Sequence, residues 1–293
     1  MTASDAPIED RGRCDGAHGA EAARAGDTEA VRPSLRAVEL MGIRIHVLTE
    51  REAIAHVLDC LELGLGGLVV TPNIDHLRRC VRHADYGAIV NAAELVVADG
   101  RPLVWASRIK GEPLPEVVAD SNLVSTLSAA AAGRGRSVFL LGGMNGSEGG
   151  AARILKERSP ALRVSGTFCP PFGFERDAAT MERLEATLLA AAPDIVYVGL
   201  GSPKQEQLVQ RLRSKLPATW WLGVGISFSY LTGDVARAPL WMRRLGLEWV
   251  HRLASEPGRL AKRYLVEGIP FAVRLLFWAA WRRLRPVPIR RPA

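Results

Sequence analysis

Between Ala37 and about Ala236, short and almost uninterrupted apolar runs alternate with helical stretches, and this alternation constrains the fold more than any other feature. Strands are expected over residues 68–71, 95–98, 137–141, 163–166, 195–199 and 219–223, each bounded by Gly, Pro, Asp or Asn. A β-rich run over 38–47 precedes them and leads into a helix expected over 49–63. Further helices are expected over 74–83, 122–132, 149–157 and 178–191. Strands that are apolar on both faces must be covered on both, so the expected class is α/β, with a mostly parallel sheet between layers of helices. Ligands of such sheets sit at the carboxyl ends of the strands. Polar residues gather there: Thr71, Asn73 and Asp75 after one strand, Asp99 and Gly100 after the next, then Gly142, Gly143 and Gly146, then Gly201, Lys204 and Gln205.

A chain of 293 residues with 48% hydrophobic and 24% charged residues can bury a sizeable core, which excludes collagen-like, coiled-coil and wholly disordered classes. The longest apolar run near the C-terminus, 271–281, is shorter than the roughly 18 residues of a membrane span and contains Arg274, so an integral membrane protein is not expected. The N-terminus MTASDAPIEDRGRCDG puts acids where a signal peptide carries bases. Cys14, Cys60, Cys80 and Cys169 have no metal-ligand spacing, and reduced thiols in a cytosol are expected. No metal site and no cofactor are expected.

Three segments follow from composition. Residues 1–34 are nearly free of large apolar side chains and are expected to be disordered. Residues 35–235 form the α/β core, and 236–293 a basic, helical appendage. The appendage holds thirteen basic and three acidic residues, a net +10, while the rest of the chain holds 25 and 28, a net −3. Such asymmetry calls for an anionic partner at the C-terminal end. Arg interleaved with Trp241, Trp249, Trp278 and Trp281 suits an amphipathic helix on an anionic membrane surface. Nucleic acid would accept the same composition. The plainest alternative packs Trp and Leu onto the body, in the first half of the appendage above all.

The turns LLGGMNG and VGLGSPKQE open helices whose free N–H groups can hold phosphate, and Lys204 adds an ammonium. Ordinary turn chemistry explains the same glycines, and neither turn fits GxGxxG, so no nicotinamide fingerprint is present. Asp99 in VVADG, at the mouth of a buried strand, suits a general base with raised proton affinity or, equally, a helix N-cap. Thr71 and Asn73 in TPNIDH can bond a sugar or cap the helix that follows, and His76 reads as a packed histidine.

Taken in order, TPNIDH, ADGRPLVWASRIKGEPLPE, FLLGG, GLGSPKQE, GVGISF, RAPLWMRRLGLEWVHRL and EPGRLAKRYL resemble the WecG/TagA/CpsF glycosyltransferase family over about residues 37–267. The resemblance implies a Rossmann-like fold and an inverting, metal-independent enzyme. Such an enzyme moves a sugar from a UDP-sugar donor to a polyprenyl-diphosphate-linked acceptor at the cytoplasmic face of the membrane, in cell-surface polysaccharide assembly. It makes Asp99 the general base, puts Thr71 and Asn73 near the reacting sugar and Gln205 in the donor pocket, and assigns Arg237, Arg243, Arg244 and Arg252 to the diphosphate. Gly142, Gly143, Gly201 and Lys204 complete the expected substrate-binding set. Transferred sugars of the N-acetylmannosamine type, glucose or glucuronic acid are expected, with a non-catalytic homologue as the alternative. Nucleic acid is not expected as a partner, because it would leave ADG and PKQE unexplained, and a homo-oligomer stays open. Three positions depart from the family's usual pattern: Val117 stands for an arginine, and Asn122 and Ser229 for aspartates.

Overall fold

The computed structural model describes residues 34–144 and 146–285. The segment expected to be disordered, apart from Ser34, lies outside the described residues, as does Cys14.

The run 38–47 forms two strands rather than one: β1 (Ala37–Leu40) and β2 (Ile43–His46) pair antiparallel. Val38, Leu40, Ile43 and Ile45 point into the core while Glu39 and Arg44 face solvent, the period-2 pattern of a half-buried hairpin. Met41 (φ 50°) and Gly42 (φ 87°) supply the two left-handed residues that such a tight turn needs. Helix α1 (Glu50–Glu62) starts at a capping box, in which Thr49 Oγ1 accepts from the Glu52 N–H at 3.3 Å and Glu52 Oε2 from the Thr49 N–H at 2.8 Å.

The other strands, β3 (Gly67–Val70), β4 (Leu95–Val96), β5 (Ser137–Gly142), β6 (Arg163–Phe168), β7 (Ile195–Gly199) and β8 (Trp220–Gly223), form one parallel sheet in the order β4-β3-β8-β7-β5-β6. Successive residues feed opposite faces. Phe139, Leu141, Val196, Val198 and Trp221 join one core, and Val138, Leu140, Ile195, Tyr197 and Trp220 the other. The first core is covered by α2 (Ile74–Arg82), α3 (Ala84–Asn91), α4 (Arg101–Lys110), α7 (Ala178–Ala191) and α8 (Lys204–Leu212). The second is covered by α1, α5 (Asp120–Gly133), α6 (Ser147–Arg158) and α9 (Ser227–Thr232). This is the expected α/β architecture with helices on both faces. The ladder of β4 is shorter than the expected strand, yet the chain stays beside β3. The Val97 N–H donates to the Val70 carbonyl at 3.0 Å and the Asp99 N–H to the Pro72 carbonyl at 2.9 Å. Backbone bonds therefore fix Asp99 at the sheet's carboxyl edge.

The C-terminal part comprises α10 (Leu240–Leu245), α11 (Glu248–Ser255), α12 (Pro257–Ala261), a π-helical segment (Lys262–Gly268) and α13 (Ile269–Leu284). The plainest alternative, packing onto the body above all in the first half of the appendage, is realised instead in its second half: α11 buries no side chain completely, whereas Phe271, Leu275 and Ala279 of α13 enter the first core, where α13 lies along α4. An ion cluster adds a second attachment. Asp75 on α2 meets Arg263 at 2.8 Å, Arg78 at 3.1 Å and Arg79 at 3.7 Å, and Arg78 also pairs with Glu267. Burial raises the Asp75 carboxyl's proton affinity, but these guanidiniums outweigh it and hold the pKa below its usual value. Because α12, the π-helical segment and α13 join without a break, the helix from Pro257 to Leu284 has 28 residues, and its most apolar 18-residue window has a mean hydropathy of 1.2. By length and composition it is able to cross a membrane, which the run 271–281 alone does not suggest.

Candidate active site

Loops at the carboxyl ends of β3, β4, β7 and β8 bring most of the expected residues to one edge of the sheet. Asp99 follows β4, and the Val118 N–H donates to the Ala98 carbonyl at 2.8 Å, which draws the start of α5 to the same place. Asp99 is partly exposed but densely surrounded. Burial pushes its pKa well above the carboxylate range, the negative charges of Asp120 and Glu248 push it further, and Arg252 and Arg237 oppose them. Asp120, at the first turn of α5, is raised to about 7 by burial, against the Ser121 N–H and the same two arginines. A neighbouring carboxylate and guanidiniums thus tune Asp99, and the cap alternative has no support here, because α4 begins at Gly100 without a side-chain cap.

Arg237 reaches this carboxylate pair from the appendage. Its Nη2 donates to Ser121 Oγ at 2.6 Å and to Asn122 Oδ1 at 3.0 Å, its Nε lies 3.8 Å from Glu248, and its guanidinium sits 5.8 Å from the Tyr230 ring centre. Arg243 is half-buried. Its pKa is lowered by burial and by the like charge of Arg237, so the two cations are close neighbours, and the Arg243 Nε has no hydrogen-bond partner among the described residues. Arg252 faces Asp99, Asp120 and Tyr230. Two crowded guanidiniums with an unused N–H are arranged for an anion. The side chain of Arg244 lies outside the described residues.

Thr71 and Gln205 line a second part of the site, a cavity of about 10 Å³ shared with His76, Asp120, Glu206 and Gly223. That is room for about one water molecule. Gln205 is wedged in place: its Nε2 donates to Glu206 Oε1 at 3.0 Å, its Oε1 accepts from the Gly225 N–H at 3.3 Å, and a Cβ on Gly223 would fall 2.3 Å from it. Asn73 caps α2, its Oδ1 accepting from the N–H groups of Asp75 at 3.0 Å and His76 at 3.2 Å. The capping alternative is therefore realised for Asn73, through the amide oxygen and not the NH2. His76 is packed, as expected, its Nδ1 accepting from the Asn73 N–H at 3.3 Å.

The glycine turns have structural reasons of their own. Gly142 (φ 84°) and Gly143 (φ 108°) adopt left-handed backbone, and a Cβ on Gly142 would fall 2.7 Å from Leu200. Gly201 (φ 75°) turns the chain into α8 in open space. Lys204 is engaged by Glu175, its Nζ 2.6 Å from Glu175 Oε1 and 4.7 Å above the exposed Phe172 ring. Of the three departures from the family pattern, Val117 packs on the first core, Asn122 receives Arg237, and Ser229 is buried.

Sequence reasoning missed three residues. Asp120 and Glu248 meet Asp99 only through tertiary contact. The Tyr230 hydroxyl, raised to about 12 mainly by burial, has no hydrogen-bond partner among the described residues. Among the described residues, no group of three His, Cys, Asp or Glu is placed to hold a metal ion.

An open parallel α/β sheet with a carboxylate pair and converging arginines at its carboxyl edge is an arrangement suited to group transfer from an anionic substrate. The particular family is fixed by comparison: the model of the WecG/TagA/CpsF family of glycosyl transferases matches residues 38–285, and the chain belongs to that family. Two relatives carry the name N-acetylglucosaminyldiphosphoundecaprenol N-acetyl-β-D-mannosaminyltransferase. The one from Bacillus spizizenii is 28% identical over 68% of this chain and 75% of its own length, and the one from Bacillus subtilis is 28% identical over 67% and 74%.

Proposed function

We propose that this chain transfers a sugar from a UDP-sugar to a polyprenyl-diphosphate-linked saccharide with inversion at the anomeric carbon and without a metal ion. The observation that carries the reading is Asp99, held at the sheet edge with raised proton affinity, facing Arg237 and Arg252. In the reaction Asp99 takes the proton of the acceptor hydroxyl, that oxygen attacks the anomeric carbon, and UDP departs with the electron pair of the broken bond. Arg237, Arg243 and Arg252 neutralise the departing diphosphate, the task a metal performs elsewhere. Thr71 and the free amide NH2 of Asn73 lie near the reacting sugar, and Gln205 belongs to the wall of the donor pocket.

The relatives' names favour an N-acetylmannosamine donor and an N-acetylglucosamine-diphosphate lipid acceptor over glucose or glucuronic acid. Residues 35–235 act as the catalytic core and 236–293 as the appendage that supplies arginines and rests on the inner face of the membrane. A surface position suits α13 better than a span, because one face is sealed by Phe271, Leu275 and Ala279 against protein and Arg274 is exposed on the helix. The test is release of UDP across the three donors, with a short-chain prenyl-diphosphate N-acetylglucosamine as acceptor and with a chelator in one arm. Turnover with the N-acetylmannosamine donor, unaffected by chelator, supports the reading. No turnover with any donor leaves a binding protein, and loss on chelation restored by Mg²⁺ removes the metal-free mechanism.

A further inference from the structure

Glu206, the last residue of the PKQE stretch, has no part in the reaction steps above, yet only 3% of it is exposed. It lies in the first turn of α8, where the positive end of the helix dipole favours a carboxylate. Its two oxygens have different surroundings. Oε1 accepts from Gln205 Nε2 at 3.0 Å, while Oε2 is buried with no hydrogen-bond partner among the described residues. A buried carboxylate oxygen in that condition costs free energy until a donor group reaches it.

The bond to Oε1 also settles how Gln205 is turned. A carboxylate only accepts and the Gly225 N–H only donates, so the amide has one orientation, with its NH2 toward Glu206 and its oxygen toward Gly225 at 3.3 Å. Gly223, at the end of β8, makes room for it, since a Cβ there would fall 2.3 Å from Nε2. The cavity that Gln205 and Glu206 line together, about 10 Å³, admits one hydroxyl-sized group and not a sugar ring. Thr71, His76 and Asp120 supply the rest of its polar wall, and no lysine or arginine lines it among the described residues. Charge is thus sorted across the site: guanidiniums of the appendage on one side, carboxyl groups around this cavity on the other.

We propose that Glu206 selects the donor sugar: Oε1 positions the Gln205 amide, and Oε2 accepts from one O–H or N–H of an uncharged sugar and turns away a sugar that bears a carboxylate. The proposal rests on the reading of the chain as a UDP-sugar-dependent transferase and deepens it. A carboxylate accepts a hydrogen bond more strongly than a neutral oxygen does, and in a place poor in water it repels a second carboxylate strongly. Attraction and repulsion therefore discriminate in the same direction.

The test measures, by calorimetry, the affinities of UDP, of the N-acetylmannosamine donor and of the glucuronic acid donor for the parent and for Glu206→Gln. The parent should bind the uncharged donor at least about tenfold more tightly than the glucuronic acid donor. In Glu206→Gln the uncharged donor should weaken about tenfold, the preference over glucuronic acid should shrink by about the same factor or more, and UDP should bind as before. An unchanged preference overturns the proposal, and so does an equal loss for all three ligands, which would make Glu206 a structural residue of α8. A parent that binds the donors but turns over none of them removes the transferase reading, and the affinity ratio still decides the role of Glu206. A parent that binds no UDP-sugar overturns both. Should Glu206→Gln fail to fold, Glu206→Met, similar in volume and without charge, carries the same comparison.

Discussion

Arg237 donates to the amide oxygen of Asn122 at 3.0 Å, across 115 residues of chain, and thereby joins the basic appendage to the first turn of α5. The acceptor is neutral at a position where the family resemblance leads one to expect an aspartate. A neutral oxygen holds a guanidinium less firmly than a carboxylate, by about 1 kcal/mol, and leaves it readier to turn to a diphosphate. Asn122→Asp should therefore raise donor KM about five-fold with the fold intact, as read from initial rates of UDP release and circular dichroism. An unchanged KM would mean that Arg237 does not serve the donor.

Asp99→Asn keeps the shape of the side chain and removes its basicity. Turnover should fall by about a hundredfold or more, the scale of general-base catalysis, while donor affinity by calorimetry stays within about two-fold. A variant that turns over like the parent would make Asp99 a structural residue of the β4 exit.

His46 gives the fold its own acid sensitivity. Its Nδ1 accepts from the Val96 N–H at 2.9 Å, and burial first, then the charges of Arg44 and His56, lower its pKa to about 4 from 6.5. The folded state therefore binds fewer protons than the unfolded chain between those values. The stability it contributes is present above about pH 6.5 and is lost as pH falls toward 4. In His46→Gln the fall of Tm between pH 7 and 5 should be shallower than in the parent. Parallel Tm curves would assign the acid sensitivity to other groups.

How much of this was legible beforehand depended on the range of the interactions. The strands of the parallel sheet declared themselves because both faces are buried, so 137–141 and 195–199 read as continuous apolar runs. The hairpin was blurred because Met41 and Gly42 interrupt an apolar pattern by two residues only, and their positive φ values are not written in the composition. The motifs point to Asp99, Arg237, Arg252 and Gln205 as candidates. Asp120, Glu248 and Tyr230 are not among them, because nothing local marks them: each matters only once β4, α5, α9 and α11 converge. In α13 the apolar residues occupy two faces, Phe271, Leu275 and Ala279 inward and Val273, Phe277 and Trp281 outward, both at four-residue spacing. Periodicity cannot say which stripe meets protein.

Those two stripes separate folding from membrane attachment. The inner stripe fills the first core, so Leu275→Ala should destabilise the protein by about 2–5 kcal/mol in denaturant melts, whatever the lipid. The outer stripe is open to solvent, with Phe277 at 74% and Leu284 at 81% exposure, and Trp281 is flanked by the guanidiniums of Arg282 and Arg285. Apolar side chains beside bases suit an anionic lipid surface, where each base contributes about 1 kcal/mol that salt weakens and the apolar burial persists. Phe277→Glu combined with Trp281→Glu should therefore abolish sedimentation with anionic vesicles at physiological salt, leave Tm nearly unchanged, and spare transfer to a water-soluble acceptor analogue. If the double variant still sediments, or if the parent ignores such vesicles, the outer stripe of α13 is not a lipid contact, and its exposure must be explained by a protein partner.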